Sequence, residues 1–299
     1  MGTRVRLMIY GVDLSGSMDE RDVDGEIKRE KVYKALMGLG EWIRSTATAK
    51  IVDKLERTYI AVGYFGELGF SESKSYLFDI AGLGEVARMM DVRQALNQGA
   101  AFIDEDSFKS IGHDGTDVGQ LVQAVKSAVE RFEKIIQGGE GEGIADIRYY
   151  LIIMGDGCYN KYKGSTLSVD NVYDKMIEAA NELNALLSRP PGASARIKLF
   201  LLWGDPSGFE EDSHICPWRA SLMASRIEDL HEYLRNELEK LESEGVITRG
   251  DDFFRDPNKK LPIVKDNPLI SDFAVARLVD IAKLAEALTR LTTAAATGH

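Results

Sequence analysis

Leu7-Met8-Ile9-Tyr10-Gly11-Val12 is an unbroken apolar run that stops at Asp13-Leu14-Ser15-Gly16-Ser17. A run without polar alternation reads as a strand buried on both faces. The segment after it sets an anion and two hydroxyls at alternate positions. Residues two apart point the same way wherever the chain stays extended. Asp13, Ser15 and Ser17 therefore converge on one point at the carboxyl end of a strand, the edge where open α/β sheets bind ligands. Three hard oxygen groups suit a hard divalent cation such as Mg²⁺. Small polar residues beside Gly also make plain turns, so this segment alone leaves both readings open.

The rest of the chain alternates strands with helices. An acidic stretch from Asp19 to Glu26 reads as a solvated loop. A long helix is expected from Ile27 to Leu55, since Val32, Leu36, Leu39, Ile43, Ala47, Ile51 and Leu55 step by three or four. Thr58–Phe65 reads as a second strand. Lys74–Phe78 reads as a short antiparallel neighbour, because so few residues separate the two. The region Asp79–Ile111 is hard to read, with a helix expected around Val86–Ala95 and a second short one. Gly112 to Asp117 forms a loop opening a helix whose apolar face runs from Val118 through Val125 to Ile136. Tyr149–Met154 is another buried strand and leads into Gly155-Asp156-Gly157. A helix from about Ser168 to Leu187, a strand from Ile197 to Trp203 and a charged helix from Arg219 to Leu241 follow. A short strand at Gly245–Thr248 and a last helix from Ser271 to Leu291 end the chain. The expected fold class is α/β, with a mostly parallel sheet covered by helices on both faces.

Composition narrows the function classes. The 299 residues, 44% of them hydrophobic, allow a sizeable core, and the net charge of -11 argues against nonspecific nucleic-acid binding. No apolar run approaches the ~20 residues that cross a bilayer. Met1 to Arg6 leads straight into the first strand without a signal-like apolar stretch, so a cytoplasmic protein is the expectation. Cys158 and Cys216 lack zinc or disulfide spacing. The Gly-rich turn at 138–143 lacks the GK[ST] ending of a phosphate loop.

Three segments compete for one sheet edge: Asp13/Ser15/Ser17 after the first strand, Asp156 after the strand ending at Met154, and Thr116 before a helix. Asp-x-Ser-x-Ser at 13–17, Thr116 in Gly-Thr-Asp-x-Gly and Asp156 in Asp-Gly together resemble the von Willebrand factor type A domain and its metal-ion-dependent adhesion site. The resemblance covers roughly Arg4 to Trp203 and includes the order of strands and helices. It implies a doubly wound, Rossmann-like sheet with one antiparallel edge strand. It makes Ser15, Ser17 and Thr116 direct hydroxyl ligands, with Asp13 and Asp156 acting through metal-bound water. A neutral first layer leaves the ion much of its charge and one open position for a carboxylate. The implied cofactor is Mg²⁺, or another divalent cation such as Mn²⁺ or Ca²⁺. The implied role is non-catalytic: binding a protein partner that presents Asp or Glu, for example an AAA+ ATPase or a multi-protein complex, with no nucleic acid or membrane involved. Gly155 departs from the pattern, since the family usually has Thr or a similar residue there. The expected division is a metal-binding domain over 1–205 and a helical extension over 206–299 packed on it.

The enzyme alternative is a magnesium-dependent phosphotransferase resembling the haloacid dehalogenase family. That family needs a second Asp two residues after the first, where this chain has Ser15, and a further Asp after the later motif, which is absent. Without the second carboxylate, protonation of a leaving group has no donor. Other polar residues have simpler readings. Asp117 fits a helix-start acid, His113 a loop-capping or exposed histidine, and Arg249-Gly250-Asp251 a chance tripeptide.

Overall fold

Strand β1 (Thr3–Asp13) is the centre of a five-stranded sheet, hydrogen-bonded on both sides. The computed structural model describes residues 3–21, 25–46, 58–66, 68–78, 87–88, 105–111, 115–137, 144–155, 160–168, 171–187, 199–201, 243, 247–249 and 274–276. In chain order the further elements are α1 (Lys28–Thr46), β2 (Thr58–Phe65), β3 (Ala87–Arg88), α2 (Glu105–Ser110), α3 (Val118–Ile135), β4 (Ile144–Met154), β5 (Lys161–Tyr162), β6 (Ser165–Thr166), α4 (Val172–Leu187), β7 (Leu199–Leu201), β8 (Ile247–Arg249) and β9 (Ala274–Ala276). The sheet order is β3-β2-β1-β4-β7. β2, β1, β4 and β7 run parallel, and β3 pairs antiparallel with β2. The chain is thus mixed α/β with a parallel sheet.

The apolar run explains why β1 is central. Val5, Leu7 and Ile9 face one side with Tyr59, Ala61, Tyr149, Leu151 and Ile153, in one core with the buried faces of α3 and α4. Met8, Tyr10 and Val12 alternate to the other side and are equally buried. Phe132 of α3 makes edge-to-face contacts with Tyr59 and Tyr149, at centroid distances of 5.2 and 5.8 Å. Nearer the site, α3 crosses a pair of register-matched glycines, Gly11 and Gly63. A Cβ on Gly11 would lie 2.7 Å from Leu121 Cδ1, and one on Gly63 2.7 Å from Ala124 Cβ. The Leu121 methyl could swing aside, but Ala124 Cβ is fixed to the helix, so bare backbone at Gly63 is what lets α3 come this close.

Three expectations change. Ala87–Arg88, expected to be helical, forms β3 against Tyr59–Ile60, because the outer edge of β2 offers backbone groups that need pairing. The expected neighbour at Lys74–Phe78 does run antiparallel to β2, but as a single bridge, Gly63 to Leu77, flanked by Tyr64 N–H to Tyr76 O and Phe78 N–H to Val62 O, both 2.9 Å. At Ala274–Ala276, the start of the expected last helix, the chain is strand β9, antiparallel to β8, with Val275 opposite Thr248 in the register; β-branched residues favour strand backbone. β9 also lies beside β7. The long helix is seen as α1 to Thr46. Residues 47–57, His113, the helix expected at 219–241 and most of the 206–299 extension lie outside the described residues. Among the described residues no helix is long and apolar enough to cross a membrane.

Candidate metal centre

Asp13 ends β1 between β2 and β4 and is fully buried. Burying a carboxylate there requires compensation, and part of it is local: Asp13 Oδ1 accepts the Ser15 N–H at 2.9 Å. The chain then closes a tight 3₁₀ turn over Gly16–Asp19, with Met18 N–H donating to Ser15 O at 3.0 Å. The turn brings Ser15 Oγ to 3.1 Å from Ser17 Oγ. Ser15 is buried and Ser17 half-buried, so the pair faces the rim.

The second segment is held to the first by Gly66, just beyond β2. Leu14 N–H donates to Phe65 O at 2.8 Å, and Gly66 lies against the Leu14–Ser15 peptide, whose atoms a Gly66 Cβ would meet at 3.4 Å. Gly66 O accepts the Asp117 N–H at 3.3 Å, and Gly66 N–H donates to Oε1 of the buried Gln120 at 3.1 Å. Thr116 is thus carried to the same edge and buried there. Its N–H donates to Asn160 Oδ1 at 2.8 Å, and its carbonyl accepts from Asn160 N–H at 3.2 Å and Lys161 N–H at 3.0 Å.

Asp156 lies outside the described residues, as do residues 157–159, but the chain up to Gly155 and again from Asn160 is described. Asn160 is bonded to Thr116, and Gly155 lies directly against Asp13. A Cβ on Gly155 would sit 2.6 Å from Asp13 Cβ and 2.9 Å from Oδ2. Here β4 and β1 approach so closely that a side chain at 155 would have to displace Asp13.

Asp117 caps α3 as a helix-start acid. Its Oδ1 accepts from Gly119 N–H at 2.7 Å and Lys163 N–H at 2.8 Å, and its Oδ2 from Gly164 N–H at 2.6 Å. Desolvation raises its pKa and these backbone donors pull it back. The donors at 163 and 164 come from the β5–β6 hairpin, whose two-residue loop has both residues at positive φ, +49° and +78°; this is the backbone of a type I′ turn.

The residue that sequence reasoning missed most clearly is Arg29 on α1. Only 4% exposed, it donates from Nη2 to Leu14 O at 2.8 Å and from Nη1 to Ile111 O at 2.6 Å, and it pairs through Nε with Asp19 Oδ1 at 2.8 Å. Its pKa is lowered by desolvation, against the opposing pull of Asp19 and Asp13. Within Lys28-Arg29-Glu30-Lys31 it looks like part of a solvated helix face, and only the fold turns it inward. Asn160 and the hairpin after it carried no sequence signal at all.

Among the described residues no three His, Cys, Asp or Glu side chains gather into a metal cluster. The candidate rests on hydroxyl oxygens instead. In an octahedral shell with bonds of about 2.0–2.1 Å, neighbouring oxygens lie roughly 2.9 Å apart. The 3.1 Å between Ser15 Oγ and Ser17 Oγ fits two adjacent corners, and the same spacing is a hydrogen bond between the two hydroxyls when nothing else binds them.

No protein-family model matches the chain, and no curated protein does. Solved structures with partial likeness include the pilus adhesin SpaC from Lactobacillus rhamnosus GG, at 13% identity and a TM-score of 0.31 over 54% of this chain and 16% of that one. The PilB minor pilin from Streptococcus sanguinis matches at 14% identity and a TM-score of 0.29, over 52% and 30%. Three N-terminal domains of the type V pili tip protein Mfa5 from Porphyromonas gingivalis match at 12% and 0.25, over 64% and 29%. The chain spans less than a third of each of these structures, and likeness at this level fixes neither fold nor function.

Proposed function

We propose that the chain is a von Willebrand factor type A-like, doubly wound domain acting as a divalent-metal-dependent protein-interaction module without catalysis. Ser15, Ser17 and Thr116 would hold the ion through their hydroxyls, with Asp13 and Asp156 one layer behind. The bound ion, Mg²⁺ or a similar divalent cation, supplies an electrophilic position for a partner's Asp or Glu carboxylate. The observation that carries this reading is the Ser15–Ser17 hydroxyl pair, 3.1 Å apart, next to a buried Asp13 that fixes the Ser15 N–H. A turn needs neither a fully buried carboxylate nor two hydroxyls aimed at each other. An AAA+ ATPase or another multi-protein assembly is the class of partner proposed.

The chain's own residues have distinct tasks in this reading. Asp13 orients Ser15, Gly66 ties the Ser15 turn to the start of α3, and Asn160 holds the Thr116 backbone from the opposite side. The test is Mn²⁺ titration followed by the spin resonance of the free ion, alongside affinity capture in Mg²⁺ or EDTA. Saturable binding at one site, lost in Ser15→Ala and Thr116→Ala with the circular dichroism spectrum unchanged, supports it. Equal capture in EDTA and no Mn²⁺ binding sinks it.

A further inference from the structure

We propose that Arg29 is a positioning residue for this site, fixing the Ser15 hydroxyl and tying the Ser15–Ser17 turn to the Ile111 carbonyl just beyond α2. The inference rests on the metal-binding reading above and adds to it a part that none of the five expected site residues supplies.

The two peptide groups flanking Ser15 are held at almost every polar atom. The Ser15 N–H goes to Asp13 Oδ1 at 2.9 Å. The Leu14 carbonyl accepts from Arg29 Nη2 at 2.8 Å, and the Ser15 carbonyl accepts from Met18 N–H at 3.0 Å, with the same Nη2 at 3.4 Å. With both peptide planes set, the Cα–Cβ bond of Ser15 has one direction and its hydroxyl has few places to be. The same guanidinium reaches Ile111 O through Nη1 at 2.6 Å, five residues before Thr116. It also holds Asp19, at the far end of the 3₁₀ turn: Nη2 donates to Oδ2 at 3.2 Å, and Nε lies 2.8 Å from Oδ1 as an ion pair outside hydrogen-bond geometry.

One planar group therefore spans the start of the turn, its end and the Ile111 carbonyl. A guanidinium has five N–H donors in a rigid fork, so the distances between its acceptors are set by its own covalent geometry. Lysine keeps the charge but is a point donor on a flexible stem, and it cannot hold three separated acceptors at once. Burial of this cation costs solvation, which Asp19 and Asp13 offset. Groups standing behind metal ligands in this way typically change affinity by about 10–100-fold when replaced.

The experiment compares wild type, Arg29→Lys and Asp19→Asn by Mn²⁺ titration at a temperature where each retains its circular dichroism spectrum, and by amide hydrogen exchange in metal-free protein. Arg29→Lys is expected to weaken Mn²⁺ binding at least about tenfold and Asp19→Asn by a smaller factor. Amide exchange should speed up at Ser15 and Met18 while β4 stays protected. A folded Arg29→Lys that binds Mn²⁺ as wild type does overturns the proposal and leaves the metal site standing. If Arg29→Lys does not fold, Asp19→Asn decides, and wild-type affinity there overturns it. Wild type that binds no Mn²⁺ removes the metal reading and this inference together.

Discussion

Asp13 and Asp117 are both buried aspartates at the same edge of one sheet, and they are used in opposite ways. Asp117 spends both oxygens on backbone N–H groups of Gly119, Lys163 and Gly164, binding a helix start to a hairpin. Asp13 gives Oδ1 to the first peptide of a turn whose hydroxyls face each other, and its other oxygen lies beside a glycine kept bare for it. Residue type and burial are shared, and both carboxylates accept backbone N–H groups. What separates them is the segment each one holds: Asp117 joins a helix start to a hairpin, and Asp13 holds the turn that carries the proposed ligand hydroxyls.

The contrast can be broken by substitution. Asp117→Ala removes a helix cap and strips three backbone donors of their acceptor, so it is expected to cost on the order of 3 kcal/mol in urea unfolding. Gly155→Thr forces a side chain into the space of Asp13 and is expected to cost about 2 kcal/mol; it should also weaken Mn²⁺ binding, and an unchanged midpoint would mean that β4 moves aside freely. Asp13→Asn keeps an acceptor for the Ser15 N–H, so its stability change should stay under about 1 kcal/mol while Mn²⁺ affinity falls by about 10–100-fold. A stability loss equal to that of Asp117→Ala would make Asp13 a second structural carboxylate and end the distinction. The smallest effect belongs to Glu178, whose carboxyl is held below its ordinary range chiefly by the hydrogen bond from Lys175, on the solvent side of α4. A lowered folded pKa stabilises above the unfolded value and is lost as pH falls through the folded one. Glu178→Gln should therefore cost under about 0.5 kcal/mol at pH 7, and the difference should vanish as acid titration carries the folded Glu178 through its lowered pKa.

Legibility followed local pattern. β1, β2, α3 and β4 are readable because their apolar residues are dense or periodic. Asp13, Ser15 and Ser17 stand out by their alternate spacing, but extended backbone is not what brings them together: the chain turns into a 3₁₀ helix at Gly16. Thr116 stands out only through its motif; what ties it to the edge is Gly66 and Asn160, both distant in sequence. β3 escaped notice because a two-residue strand is defined by the edge it joins rather than by its own composition. The same holds for β9, where three residues take their conformation from β8. Arg29 was invisible for a different reason. A charged residue among charged neighbours reads as solvated, and its burial depends on carbonyls 14, 15 and 111 meeting around it.

The glycine at 63 acts as a mechanical stop. A Cβ there would meet Ala124 Cβ, an atom fixed to the helix backbone, whereas one at Gly11 would meet only the movable end of Leu121. The height of the N-terminus of α3 is therefore calibrated from inside the core rather than at the rim. One methyl group added at Gly63 would act like a shim under α3, tipping Thr116 away from the Ser15 turn without touching either. The aperture of the proposed site is in this sense machined at a position that carries no chemistry of its own, and variation there would retune it while every candidate ligand stayed in place.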